Sequence, residues 1–237
     1  MPLCCVRSGA LVARVRESPA LELAKWPWHV LSVGFAAALL AAPAHAESSG
    51  AASVSAAARL DFRVTVPRLL YLRVGSGTNT FKRVATVNRI SFSVPAAQVG
   101  NGVPRAALAS SGDLTGGAVT VRVFANHGNS VTLNSRTTGP LKSATGDNIG
   151  WNEIVAASGA LVITTAGYSN GTVGHPAFNT GASGGNGAAV TLTGTSKVVR
   201  AEGKWTFSYA NSDPVAAGDY GRTVARNGRV TYTAAQP

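Results

Sequence analysis

Ala118-Val119-Thr120-Val121-Arg122-Val123-Phe124 decides the reading of the fold. Val119, Val121 and Val123 share one face, and Thr120 and Arg122 share the other. That period-two pattern marks a strand with one buried side. Ala125-Asn126-His127-Gly128-Asn129 follows, and then Ser130-Val131-Thr132-Leu133-Asn134. Asn and Gly tolerate positive φ, so the two runs are expected to pair as a hairpin.

Outward from this pair the same texture recurs. Leu60-Asp61-Phe62-Arg63-Val64-Thr65-Val66 alternates before Pro67, and Leu69-Leu70-Tyr71-Leu72-Arg73-Val74 stops at Gly75-Ser76-Gly77. Arg89-Ile90-Ser91-Phe92-Ser93-Val94 stops at Pro95. Leu161-Val162-Ile163-Thr164, Ala189-Val190-Thr191-Leu192-Thr193 and Ser196-Lys197-Val198-Val199 are shorter extended runs. Lys204-Trp205-Thr206-Phe207-Ser208-Tyr209 puts three aromatic rings on one face, and Arg229-Val230-Thr231-Tyr232-Thr233 comes last. About eight to ten strands with turn residues between them predict an all-β chain. The expected architecture is a single immunoglobulin-like antiparallel β-sandwich over residues 59–237. Trp151-Asn152-Glu153-Ile154-Val155-Ala156-Ala157 reads as a short helical turn. The Gly-rich stretch 167–187 is long for a compact domain, so it is expected to be functional or mobile.

The texture changes at Ala46. Before it lie thirteen mostly apolar residues, 30–42, closed by Pro43-Ala44-His45-Ala46. A membrane span needs roughly 20 apolar residues, and small residues at Ala44 and Ala46 fit the A-x-A pattern of signal peptidase. Residues 1–46 are therefore expected to be a cleaved signal peptide with a long n-region, and 47–58, small and polar, a flexible N-terminus. The product is expected in the periplasm, at the cell surface or outside the cell, with no transmembrane segment. Both cysteines, Cys4 and Cys5, lie in the part removed, so the mature chain has no disulfide and no thiolate chemistry.

The 191 residues that remain keep 17 of the 21 Lys and Arg and 8 of the 10 Asp and Glu, a net +9. The basic residues are spread from Arg59 to Arg229 with no run of three, which argues for solvated strand faces rather than a nucleic-acid site. No catalytic set, metal-ligand spacing or cofactor motif is legible. His127 and His175 each sit beside a turn residue. Asp147 and Glu153 flank Trp151, but Asp147-Asn148 reads more simply as a turn. The expectation is no enzyme and no cofactor. Aromatic side chains can stack on sugar rings. Trp205 and Tyr209 read as core, which leaves Trp151 and Tyr168, in loop-like sequence, as the candidate ligand contacts.

The C-terminal segment is the most distinctive. Asp213-Pro214-Val215-Ala216-Ala217-Gly218-Asp219-Tyr220 turns the chain at Gly218 and Tyr220, and Val230-Thr231-Tyr232 then alternates. A Tyr at such a corner can bond back to the backbone and pin a crossing between sheets. Pro214, Ala217, Gly218, Tyr220 and the Val230/Tyr232 alternation resemble the ending of exported bacterial pilin-type and spore-coat-U-like β-sandwich proteins. The resemblance implies donor-strand completion, in which an N-terminal segment of one subunit adds a strand to the next. Residues 47–57 are too rich in Ser and Ala for that strand. The 60–66 run has the right alternation, but a complete domain is expected to use it internally.

These readings converge on an exported, non-enzymatic structural or interaction protein of the envelope or cell surface, fimbria-like subunits included. Its expected partners are further copies of itself or another envelope protein. The alternative is a secreted, adhesin-like module that binds a glycan.

Overall fold

The computed structural model describes residue 50 and residues 55–237. The predicted cleavage positions Ala44 and Ala46 lie outside the described residues. Two compact units, Met1–Arg63 and Val64–Pro237, divide the chain, and every strand among the described residues belongs to the second.

The fold is all-β. In chain order the strands are β1 (Leu70–Val74), β2 (Arg105–Ala106), β3 (Ala118–Ala125), β4 (Ser130–Thr137), β5 (Leu141–Lys142) and β6 (Asn148–Ile149). Then come β7 (Ile154–Gly159), β8 (Ser169–Asn170), β9 (Gly185–Asn186), β10 (Val190–Thr193), β11 (Val199–Tyr209) and β12 (Thr231–Ala235). One sheet of six strands runs β1-β3-β11-β2, with β7 and β8 on the far side of β11. A second, of four strands, runs β10-β4-β12, with β9 also on β4. Pairing is antiparallel except for the two-residue β8–β11 contact.

Period two explains the packing. Val119, Val121, Val123 and Ala125 of β3 and Val199, Trp205 and Phe207 of β11 form one wall of the core, and Val131 and Leu133 of β4 form the other. The opposite face of β3 carries Thr120 and Arg122. Trp205 is fully buried, and its indole Nε1 donates to the Val173 carbonyl at 2.7 Å.

Several sequence expectations are corrected. The runs around Val121 and Leu133 are not a hairpin: β3 and β4 lie in different sheets, so the 126–129 turn carries the chain across the core. Both runs need a buried face, and facing each other across the core gives both of them one. The 60–66 alternation is in no sheet; Phe62 is 86% exposed and Val64 85%. The ladder begins only beyond Pro67, which has no N–H to donate. There the Asn126 side chain holds the chain, accepting from Leu69 N and donating to Pro67 O, both at 2.7 Å. Residues 89–94 join no sheet, although Ile90 and Phe92 pack on the core. Leu108 N and Gly112 N donate to the Ser91 and Arg89 carbonyls, and Ser91 N donates to Ser111 Oγ. Residues 161–164 are a turn, not a strand, with Val162 and Ile163 exposed. Trp151–Glu153 forms one 3-10 turn, and the rest of that run is β7. Ser196 and Lys197, at φ 52° and 62°, turn the chain between β10 in one sheet and β11 in the other.

Gly203, in the middle of β11, faces a crossing strand of main chain. A Cβ there would lie 2.6 Å from the Gly171 carbonyl oxygen and 2.9 Å from that of Gly159. Gly203→Ala is expected to lower stability by about 1–3 kcal/mol through overpacking, read as a fall in the urea midpoint at an unchanged slope.

Candidate functional site

The two lateral sides of the paired sheets are built differently. On the β7 and β4 side, residues 173–179 run extended without joining a ladder, held by single hydrogen bonds. Trp205 Nε1 reaches Val173 O, and His175 N donates to Ser158 Oγ at 3.0 Å. Ser135 Oγ donates to Ala177 O at 2.7 Å, and Thr137 Oγ1 to Asn179 O at 3.0 Å. This segment, from the Gly-rich stretch, closes that side. Gly187 is required for the approach, since a Cβ there would lie 1.6 Å from the Ala177 carbonyl oxygen.

The β1 and β12 side is open. Each is the last strand of its sheet, and no strand pairs with their outer edges among the described residues. A groove of about 440 Å³ runs along β1. Leu70, Leu72 and Val74 line it from β1, Tyr232 from β12, and Phe81 and Val84 from the segment that follows β1. Lys82 and Arg83 give its rim positive charge. Phe81 is anchored against Tyr71 and Phe124, at ring-centroid distances of 5.4 and 4.7 Å. Tyr71, Arg73, Ser76, Gly77 and Thr86 complete a lining that is part apolar and part polar, beside an unpaired main-chain edge.

Tyr232 connects this groove to the core. Its hydroxyl lies 2.8 Å from His175 Nε2, and its ring packs 5.0 Å from Trp205. His175 is half-buried: its imidazole packs against the rings of Phe178, Trp205, Phe207 and Tyr232 and lines the cleft beside Trp151. Burial pushes the imidazole down from 6.5 to about 4 and pushes the Tyr232 phenol up.

The outward face of the six-stranded sheet carries a buried ion pair. Arg122 Nε donates to Glu202 Oε2 at 2.8 Å, with the Glu202 side chain fully buried. Arg122 also bonds Asn79 Oδ1 and Thr165 Oγ1, and Glu202 Oε1 accepts from Thr165 N at 2.6 Å. Two loops are thus stapled over one cross-strand pair, and the charges are spent on structure. Arg73 and Asp113 make a second pair nearby at 3.3 Å.

The structure does not bring Trp151 and Tyr168 together. Trp151 is buried; its Nε1 donates to Gly139 O at 2.8 Å and its ring packs on Phe178. It lies at a second cleft, of about 390 Å³, with His175, Phe178, Asn152, Ser158 and Thr180. Tyr168 lies over the Arg122 guanidinium, 5.5 Å from ring centre to Cζ. Its hydroxyl is buried without a partner among the described residues, and burial raises its pKa. Asp147 belongs to a turn, accepting from Thr145 and Ser143 at 2.6 and 3.2 Å, and these bonds lower its pKa. Glu153 is used separately, accepting from Ser212 N at 2.9 Å. Tyr220 donates to Ala216 O at 2.8 Å, bonding back across the corner, while Gly218 has room for a Cβ beside Ser143. Among the described residues no group of three or more His, Cys, Asp or Glu could hold a metal ion, and no helix is long and apolar enough to cross a membrane.

Sequence reasoning missed the groove, whose walls come from strands some 160 positions apart in the chain. Comparison with protein-family models, characterised proteins and solved structures finds no match to this chain.

Glu202→Gln removes the carboxylate bonded to Arg122 and is expected to cost about 3–5 kcal/mol, because it strands a buried guanidinium. Replacing both partners, as Arg122→Met with Glu202→Leu, is expected to cost clearly less in the same denaturation measurement.

Proposed function

We propose that this protein is an exported, non-enzymatic structural subunit of the bacterial envelope that associates with copies of itself by strand addition. The 60–66 segment of one copy supplies the strand, and the open edge of β1 in the next copy receives it. The observation that carries this reading is the period-two stripe Leu60, Phe62, Val64 and Val66, between 71% and 86% exposed and paired with no sheet. A contiguous exposed apolar stripe marks an interaction surface. Alternate side chains would meet Leu70, Leu72, Val74 and Phe81 in the groove while main-chain bonds complete the ladder. Support for export comes from the short apolar run before Ala46 and the small residues at Ala44 and Ala46. The immunoglobulin-like topology and the resemblance of the C-terminal segment to pilin-type subunits belong to the same reading.

The cleft at Trp151 favours a second reading, a neutral-glycan module. Aromatic side chains and His175 line it beside Asn152, Ser158 and Thr180, and no Asp, Glu, Lys or Arg side chain does.

Light scattering behind size-exclusion chromatography separates the two. The wild-type chain is expected to form concentration-dependent oligomers, and Phe62→Asp with Val64→Asp to leave it monomeric with an unchanged circular dichroism spectrum. A wild-type chain that stays monomeric at all concentrations, yet binds a neutral glycan in about 0.3 M salt where charge attraction is screened, would replace the first reading with the second.

A further inference from the structure

His175 joins the closed side of the sheets to the open one. It sits in the closing segment 173–179, and its Nε2 meets the hydroxyl of Tyr232, a wall of the β1 groove, at 2.8 Å. Each element packed against the imidazole contributes an uncharged group. Its own segment brings Phe178, β11 brings Trp205 and Phe207, β12 brings Tyr232, and β7 brings the Ser158 hydroxyl, which accepts from the His175 main-chain N–H and lines the same cleft. Tyr232 is the one titratable group among these, and burial keeps its phenol protonated. Among the described residues no carboxylate faces the ring to balance an imidazolium. A buried charge without a counter-ion is expelled rather than tolerated. Separate hydrogen bonds and the burial of Val173, Pro176 and Phe178, not a ladder, hold this segment, so the imidazole can swing out and loosen it without unzipping either sheet.

We propose that His175 is an acid-sensitive latch: uncharged, it holds Tyr232 against β11 and keeps the β1 groove shaped for an incoming strand; protonated, it leaves the aromatic cage and frees both the closing segment and Tyr232. The consequence for assembly rests on the strand-addition reading; the latch itself does not.

The sign follows from burial, which pushes the imidazole down from 6.5 to about 4. The released state takes up a proton first, so the closed state is fully favoured above about pH 6.5 and loses ground as the pH falls toward 4.

The test uses the full chain at pH 7 and 4.5. NMR titration of the His175 imidazole is expected to place its midpoint near 4. Exchange of the His175 main-chain amide, which donates to Ser158 Oγ, corrected for intrinsic rates, is expected to lose about tenfold or more of its protection between the two pH values. Self-association is expected to weaken about tenfold over the same interval, and His175→Gln to flatten both responses while His127→Gln leaves them as in the wild type. An imidazole that titrates near 6.5, or protection that falls equally in the wild type and His175→Gln, overturns the latch. The titration and the wild-type exchange need no variant, so the proposal stays open to refutation even if His175→Gln folds poorly. A chain that is monomeric at both pH values, with the expected titration and exchange, sinks strand addition and leaves the latch standing.

Discussion

The pairing of β3 with β11 is the interaction on which the other parts of the fold depend. It sets Val121 opposite Gly203 and Val119 opposite Trp205 on the core side, and Arg122 opposite Glu202 on the other. A shift of one residue would turn both valines out of the core and drive the guanidinium into it. The two faces therefore enforce the same register by different physics. One removes apolar surface from water; the other forbids a buried charge without its partner. β11 then carries β2, β7 and β8 as well. The Arg122–Glu202 pair fastens the segments around Asn79 and Thr165 over the outward face, which would otherwise leave polar groups half-solvated.

That register also decides where the molecule is closed and where it is open. Gly203 has no side chain, so the chain at 171–173 can cross β11 closely and lead into the segment that seals one side. That segment supplies His175 and Phe178 to the aromatic cluster and receives a hydrogen bond from Trp205. The other side has no equivalent. β1 and β12 end their sheets, and the groove along β1 has a mixed lining with Lys82 and Arg83 in it. Tyr232 is shared by both sides, touching His175 and Trp205 while lining the groove.

The amino-acid sequence by itself determined the fold class and the core-facing residues of the long strands. Alternation at β3 and at Trp205, Phe207 and Tyr209 is a local property, and burial of the apolar set follows from period two whatever the partner. The turn role of Asp147 was legible for the same reason, because its bonds reach only two and four residues along the chain. Partnership was decided by the tertiary structure alone. Alternation does not say which sheet a strand joins, so the runs around Val121 and Leu133 read as a hairpin and proved to face each other. It does not say whether a strand is used at all: the 60–66 run has the cleanest pattern in the chain and is left outside, because Pro67 and the Asn126 clamp start the ladder beyond it. Nor does it say that His175, beside a proline in a Gly-rich stretch, comes to rest among four aromatic rings. Those outcomes depend on contacts between distant positions, and only the closing of the core brings such positions together.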